Sequence, residues 1–66
     1  MINYVKEERN KKGITQQELA DLLNVSRQTI FSIETGKYVP STILALKIAE
    51  IFGKYVEDIF NLEKGD

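Results

Sequence analysis

Apolar residues recur at helical spacing on both sides of Asn24, and the two helices this predicts organise the rest of the chain. In the first, which starts at Gln16, Leu19, Leu22 and Leu23 form the expected buried stripe. Thr15 and Glu18 precede it as a capping box, each side chain satisfying an orphaned amide donor at the helix start. In the second, Ile30 and Ile33 share the inward face, Ser26 is the expected N-cap and Gly36 the stop. Asn24 tolerates a positive φ, so Leu23-Asn24-Val25 ends one helix and turns at once. Ala20 is small enough for the helices to cross closely.

The flanking segments follow from the same pattern. Residues 2–12 read as a first helix with Asn3 as a candidate cap, Gly13 as its stop and a thin apolar face on which Val5 is the clear core position. After a loop containing Pro40, Ser41 caps a helix over residues 42–52, where Leu44, Ile48, Ile51 and Phe52 make the core stripe. Ile43 and Leu46 fall off that stripe, which calls for a second burial partner. Gly53 ends the helix, and residues 56–60 predict a short last one with Glu57 and Asp58 at its positive end. Residues 61–66 form a tail.

A chain of 66 residues with no cysteine and no histidine is expected to be one domain over 1–66, with neither disulfide staples nor the usual zinc sites. Its core is small, which favours a second subunit covering apolar surface. No apolar run is long enough to span a bilayer and the N-terminal stretch lacks the apolar segment of a signal peptide, so a soluble, cytoplasmic protein is expected. The net charge of −1 argues against strong non-specific nucleic-acid binding. Its distribution changes the picture: Lys6, Arg9, Lys11 and Lys12 lie near the N-terminus, while Glu50, Glu57, Asp58, Glu63 and Asp66 gather in the C-terminal third.

The outward face of the second motif helix carries Arg27, Gln28, Thr29, Phe31 and Ser32, rich in donors and lacking acid. A face serving only solubility would show paired Glu and Lys at helical spacing. Arg and Gln are the side chains that read guanine and adenine edges bidentately in a major groove.

These residues resemble the Cro/C1 or XRE-type family, the small helix-turn-helix regulators related to phage repressor and Cro proteins. The motif spans residues 15–36, and the resemblance rests on Thr15-Gln16-Gln17-Glu18-Leu19-Ala20, on Ile33-Glu34-Thr35-Gly36, and on Leu19, Leu23, Val25, Ile30 and Ile33 around Ala20. It extends from about Val5 to Phe60. The resemblance implies an all-α, five-helix, lambda-repressor-like fold, and in very short members a small two-stranded β-ribbon between the termini, here residues 1–3 with 61–63.

It also implies roles. Arg9 would pair with Glu34 beneath the recognition helix, although an arginine taken alone is more often a solvated surface charge. Gln16, with Gln17 as its neighbour, would hold a DNA phosphate at the helix N-terminus. Arg27, Gln28 and Ser32 would read base edges, with Thr29 near phosphate or a thymine methyl. Phe31 stands where relatives are often polar, and base contact, dimer packing and cover for a loop all stay open. Lys37 and Tyr38, in a loop that relatives run along the DNA backbone, would donate to phosphates, with the loop amides adding to them. Glu8 departs from the Leu or Ile that relatives commonly carry and puts packing there in doubt.

The expected function is sequence-specific DNA binding as a transcriptional regulator, a repressor acting as a homodimer on an inverted-repeat operator. Ile43, Leu46, Tyr55, Ile59 and Leu62 are the candidate dimer surface. An antitoxin-like or co-regulatory adaptor that binds another protein is the alternative. No enzyme activity, cofactor, metal or small-molecule ligand is expected, since no nucleophile, glycine-rich phosphate loop or convergent acid pair is present.

Overall fold

Each helix begins and ends at a residue whose chemistry demands it. In the computed structural model, which describes residues 1–66, the order is β1 (Ile2–Asn3), α1 (Val5–Lys12), α2 (Gln16–Leu23), α3 (Arg27–Glu34), α4 (Thr42–Phe52), α5 (Val56–Ile59) and β2 (Phe60–Asn61). Thr15 and Glu18 form the reciprocal capping box of α2, and Ser26 and Ser41 accept from the third residues of α3 and α4. Asn24 takes φ 57 and ψ 44, the left-handed conformation that lets α3 start so soon after α2.

The first helix starts at Val5 rather than residue 2, because Ile2 and Asn3 pair antiparallel with Asn61 and Phe60. Asn3 still serves the helix start. Its Oδ1 accepts from the Val5 amide at 3.2 Å, while its Nδ2 donates to the Ile33 carbonyl at 2.9 Å and so ties α1 to the end of α3. At the other terminus Phe60 is extended and buried, which ends α5 at Ile59 and centres the ribbon one residue earlier than expected, leaving Leu62 exposed. Tyr55 offers α5 no side-chain cap, but Asp58 reaches back and accepts from the Tyr55 amide at 3.0 Å.

The core is built from Val5, Leu19, Ala20, Leu23, Ile30, Ile33, Ile48, Ala49, Ile59 and Phe60. Ala20 has no exposed surface, and its carbonyl accepts from the Val25 amide at 3.0 Å, fixing the crossing of α2 and α3. Leu22 does not join the stripe. It is 60% exposed, because the inward arc of α2 is already filled by Leu19, Ala20 and Leu23. Ile59 corrects another expectation: it has no exposed surface and is a core residue, so it cannot line a dimer face in this fold.

Glu8 is buried where an aliphatic residue was expected, and its Oε2 lies 3.5 Å from Lys11 Nζ and 3.4 Å from Lys54 Nζ. The Lys54 contact joins α1 to the turn after α4. Desolvating a carboxylate offsets much of what such pairs gain, whereas both lysines keep solvent access, at 71% and 41% side-chain exposure. Glu8→Leu is therefore expected to raise stability by about 1 kcal/mol, read as a higher urea midpoint at unchanged m-value. A drop would mean that the carboxylate holds the α1 packing together.

The termini are also joined by charge. Hydrogen bonds to Glu63 and Asp66, at 3.0 and 3.1 Å, raise the Met1 ammonium above its ordinary pKa of 8.0. The Glu63 backbone amide, then that ammonium, hold the Asp66 carboxyl below 3.8. The ammonium's contribution is present below pH 8.0 and lost as pH rises through its raised folded value; that of Asp66 is present above 3.8 and lost as pH falls through its depressed one. Both groups face solvent, so screening keeps the effect local to the ribbon.

Candidate nucleic-acid interface

The sequence orients α3 through two isoleucines. Ile30 and Ile33 are buried, and this turns Arg27, Gln28 and Phe31 outward, with Thr29 and Ser32 half-buried beside them. Ser26 fixes the start of the helix: its Oγ accepts from the Thr29 amide at 3.1 Å and lies 3.0 Å from the Thr29 hydroxyl. The Thr29 side chain is thus engaged within its own cap. Gln28 is exposed and carries no such restraint.

Beneath the helix runs a chain of polar side chains. Arg9 donates through Nε to Glu34 Oε2 at 2.7 Å and through Nη2 to Oε1 at 3.3 Å, while its Nη1 donates to the Ile14 carbonyl at 2.9 Å. Glu34 Oε1 also accepts from Gln16 Nε2 at 3.1 Å, and Gln16 Oε1 accepts from Arg27 Nη1 at 3.4 Å. The Glu34 side chain is 3% exposed and that of Arg9 11%, so the pair works in a low-dielectric setting where charge-assisted bonds are strong. The acid of α3 is turned inward by this pair, which leaves its outward face free of negative charge.

This network also defines Gln16. Its amide bridges α2 to both ends of α3, with one N–H left for an external acceptor. Gln17 differs, since its Nε2 donates to Asp21 Oδ1 at 2.8 Å on an exposed surface. The Gln16–Arg27 contact was not legible in the sequence, because residues 11 apart on different helices meet only through the helix crossing.

Lys37 and Tyr38 are exposed in the loop after α3. Their backbone amides are not available to a ligand as expected: both donate to the Ser32 carbonyl, at 2.9 and 3.1 Å, and Gly36 donates to Ile33. The reason is the helix end itself, whose last carbonyls need partners. Gly36 at φ 79 turns the chain so that Tyr38 lies beside α3, where it lines a shallow depression of about 220 Å³ with Gln28, Thr29 and Ser32.

Among the candidate dimer residues, Ile43, Leu46, Tyr55 and Leu62 are exposed at 68%, 56%, 78% and 81%. Leu46 borders an apolar groove of about 280 Å³ with Met1, Val39, Pro40, Ala45, Val56 and Phe60 among its walls. Tyr55 instead lines a separate depression with Glu50, Lys54 and Asp58. Sequence patterning missed the groove, although an exposed valine before Pro40 was its one local signal.

Comparison with known proteins agrees with this geometry. The family described as Helix-turn-helix matches residues 5–59. A relative from Methanocaldococcus jannaschii, named an uncharacterized HTH-type transcriptional regulator, is 54% identical over 63 residues, 96% of each chain. The uncharacterized HTH-type transcriptional regulator YgzD of Bacillus subtilis is 48% identical over 64 residues, 97% of each chain. The ImmF control region 10 kDa protein of Bacillus phage phi105 is 40% identical over 45 residues, covering 68% of this chain and 50% of that one.

Proposed function

We propose a function from one premise: the chain belongs to the helix-turn-helix family, in its Cro/C1-type branch of DNA-binding transcriptional regulators. It acts as a cytoplasmic repressor, a homodimer placing two α3 helices in successive major grooves of an inverted-repeat operator. The observation that carries this is the α3 face itself, where Arg27 and Gln28 stand exposed at the head of a helix whose acid is turned inward to Arg9. Arg27, Gln28 and Ser32 read base edges, and Gln16, Lys37 and Tyr38 hold phosphates. Thr29 and Gln17 contribute less, because their polar groups are engaged at Ser26 and Asp21.

One such helix reads too few base pairs to define a site, so two subunits with half-site centres about 34 Å apart are required. The apolar groove beside Leu46, with Ile43 one turn before it on α4, supports a subunit contact on the C-terminal half. Leu46→Asp is expected to give a folded monomer by sedimentation at tens of micromolar, with operator affinity lost in parallel. A wild-type chain that is itself monomeric there would sink the dimer.

The function is tested by selecting bound duplexes from a randomised pool at moderate salt. Enrichment of an inverted repeat is the expected result. A well-folded protein that enriches nothing would move the groove to the adaptor reading, with a protein partner to be sought by co-purification.

A further inference from the structure

Phe31 occupies the outward face of α3, and nothing in the fold accounts for it. The residue is 39% exposed, and it belongs neither to the core nor to the half-buried apolar residues packed on that core. At about 100° per residue, the buried Ile30 and Ile33 set the inward direction of α3 and put Phe31 on the opposite side, between Arg27 and Gln28. A large aromatic side chain is normally drawn into an interior, so one held partly in water among donors awaits an apolar partner from outside. The groove beside Leu46 is not that partner's seat, since Phe31 takes no part in it.

We infer that Phe31 recognises the 5-methyl group of thymine in the major groove, which makes it a specificity-determining residue. This rests on the proposal that α3 reads DNA and adds the base chemistry it reads. Every other group that base pairs present in the major groove is a hydrogen-bond donor or acceptor, and the thymine methyl is the one apolar feature. A phenyl ring set against a polar edge would desolvate that edge without replacing its hydrogen bonds. Against a methyl it buries apolar surface on both sides. Arg27 and Gln28, flanking the ring, supply the donors for adjoining purines, so the three together favour a thymine beside a purine contact.

The test uses the duplex selected from the random pool, resynthesised with each thymine replaced singly by deoxyuridine, which deletes the methyl and leaves the hydrogen-bonding edge unchanged. Binding of wild type and of Phe31→Ala is followed by fluorescence anisotropy at fixed salt, with thermal melting to check folding and sedimentation to check subunit state. The expected result is one thymine in each half-site where losing the methyl weakens wild-type binding about fourfold, the equilibrium factor for burying one carbon-sized group. Phe31→Ala should bind the two duplexes equally, and Phe31→Leu should keep part of the preference. Equal wild-type binding to every thymine and deoxyuridine pair overturns the inference while leaving the DNA-reading proposal intact. So does an undiminished methyl preference in Phe31→Ala, or a Phe31→Ala chain that dissociates into monomers, which would assign the ring to the subunit contact. A selection that returns no preferred sequence overturns the proposal and the inference together.

Discussion

Arg9→Ala is expected to lower the stability of the chain by about 3–5 kcal/mol, because it strands a carboxylate in the interior. Glu34 is only 3% exposed at its side chain, and Arg9 supplies the single full charge that faces it, in a two-point contact at 2.7 and 3.3 Å. After the substitution Glu34 keeps one neutral donor, Gln16 Nε2, which cannot replace a guanidinium. Arg9 also holds the Ile14 carbonyl at 2.9 Å, so the loop between α1 and α2 loosens in the same step. At about 0.05–0.15 kcal/mol per residue a domain this small has little margin, and such a loss should leave much of the protein unfolded near physiological temperature. Urea denaturation with a double-mutant cycle over Arg9 and Glu34 measures the effect. Replacing both residues by Met removes the stranded charge and should cost far less than Arg9→Ala alone. An Arg9→Ala protein with an unchanged midpoint would show that the pair does not anchor the recognition helix.

The second large effect falls on DNA recognition. Gln28→Ala should cost about 1–3 kcal/mol against the selected operator and relax specificity at one position in each half-site, the pattern of a lost bidentate base contact. Lys37→Ala should behave differently. It should weaken binding to all duplexes alike and reduce the slope of log affinity against log salt by about 0.9, the signature of one phosphate contact. Thr29→Ala is the internal control: its hydroxyl already meets Ser26 Oγ at 3.0 Å, so operator affinity should change little. Titrations of the three variants over a range of salt separate these outcomes. A Gln28→Ala protein that weakens uniformly across sequences would place Gln28 on the backbone rather than on a base edge.

The two effects are linked through Gln16. Its amide oxygen accepts from Arg27 and its amide nitrogen donates to Glu34, so the ion pair beneath α3 also restrains an arginine on the face above it. A folded variant with a broken Arg9–Glu34 pair should therefore lose operator affinity as well as stability. Gln16 stands at the junction, which is why a local reading of it as a capping-region glutamine falls short.

The periodicity of apolar residues and the chemistry of caps and turns were enough to place every helix, because both are local. Thr15 with Glu18, Asn24, Ser26, Ser41 and Gly53 act within a few residues of themselves, and each takes the conformation that its side chain, or the lack of one, predicts. The Cro/C1-type family was legible for the same reason, since its motif is a contiguous run of such positions. What needed the tertiary structure was every property set by neighbours distant in the chain. Leu22 is outside and Ile59 inside because burial depends on which arcs of neighbouring helices are already filled. Residues 2–3 left the first helix because their backbone groups found partners at residues 60–61. The loop amides after α3 are occupied because the helix end took them first, and Gln16 meets Arg27 only where two helices cross at Ala20. Hydrogen bonds and burial are pairwise quantities, and a sequence fixes them only once the fold has brought the partners together.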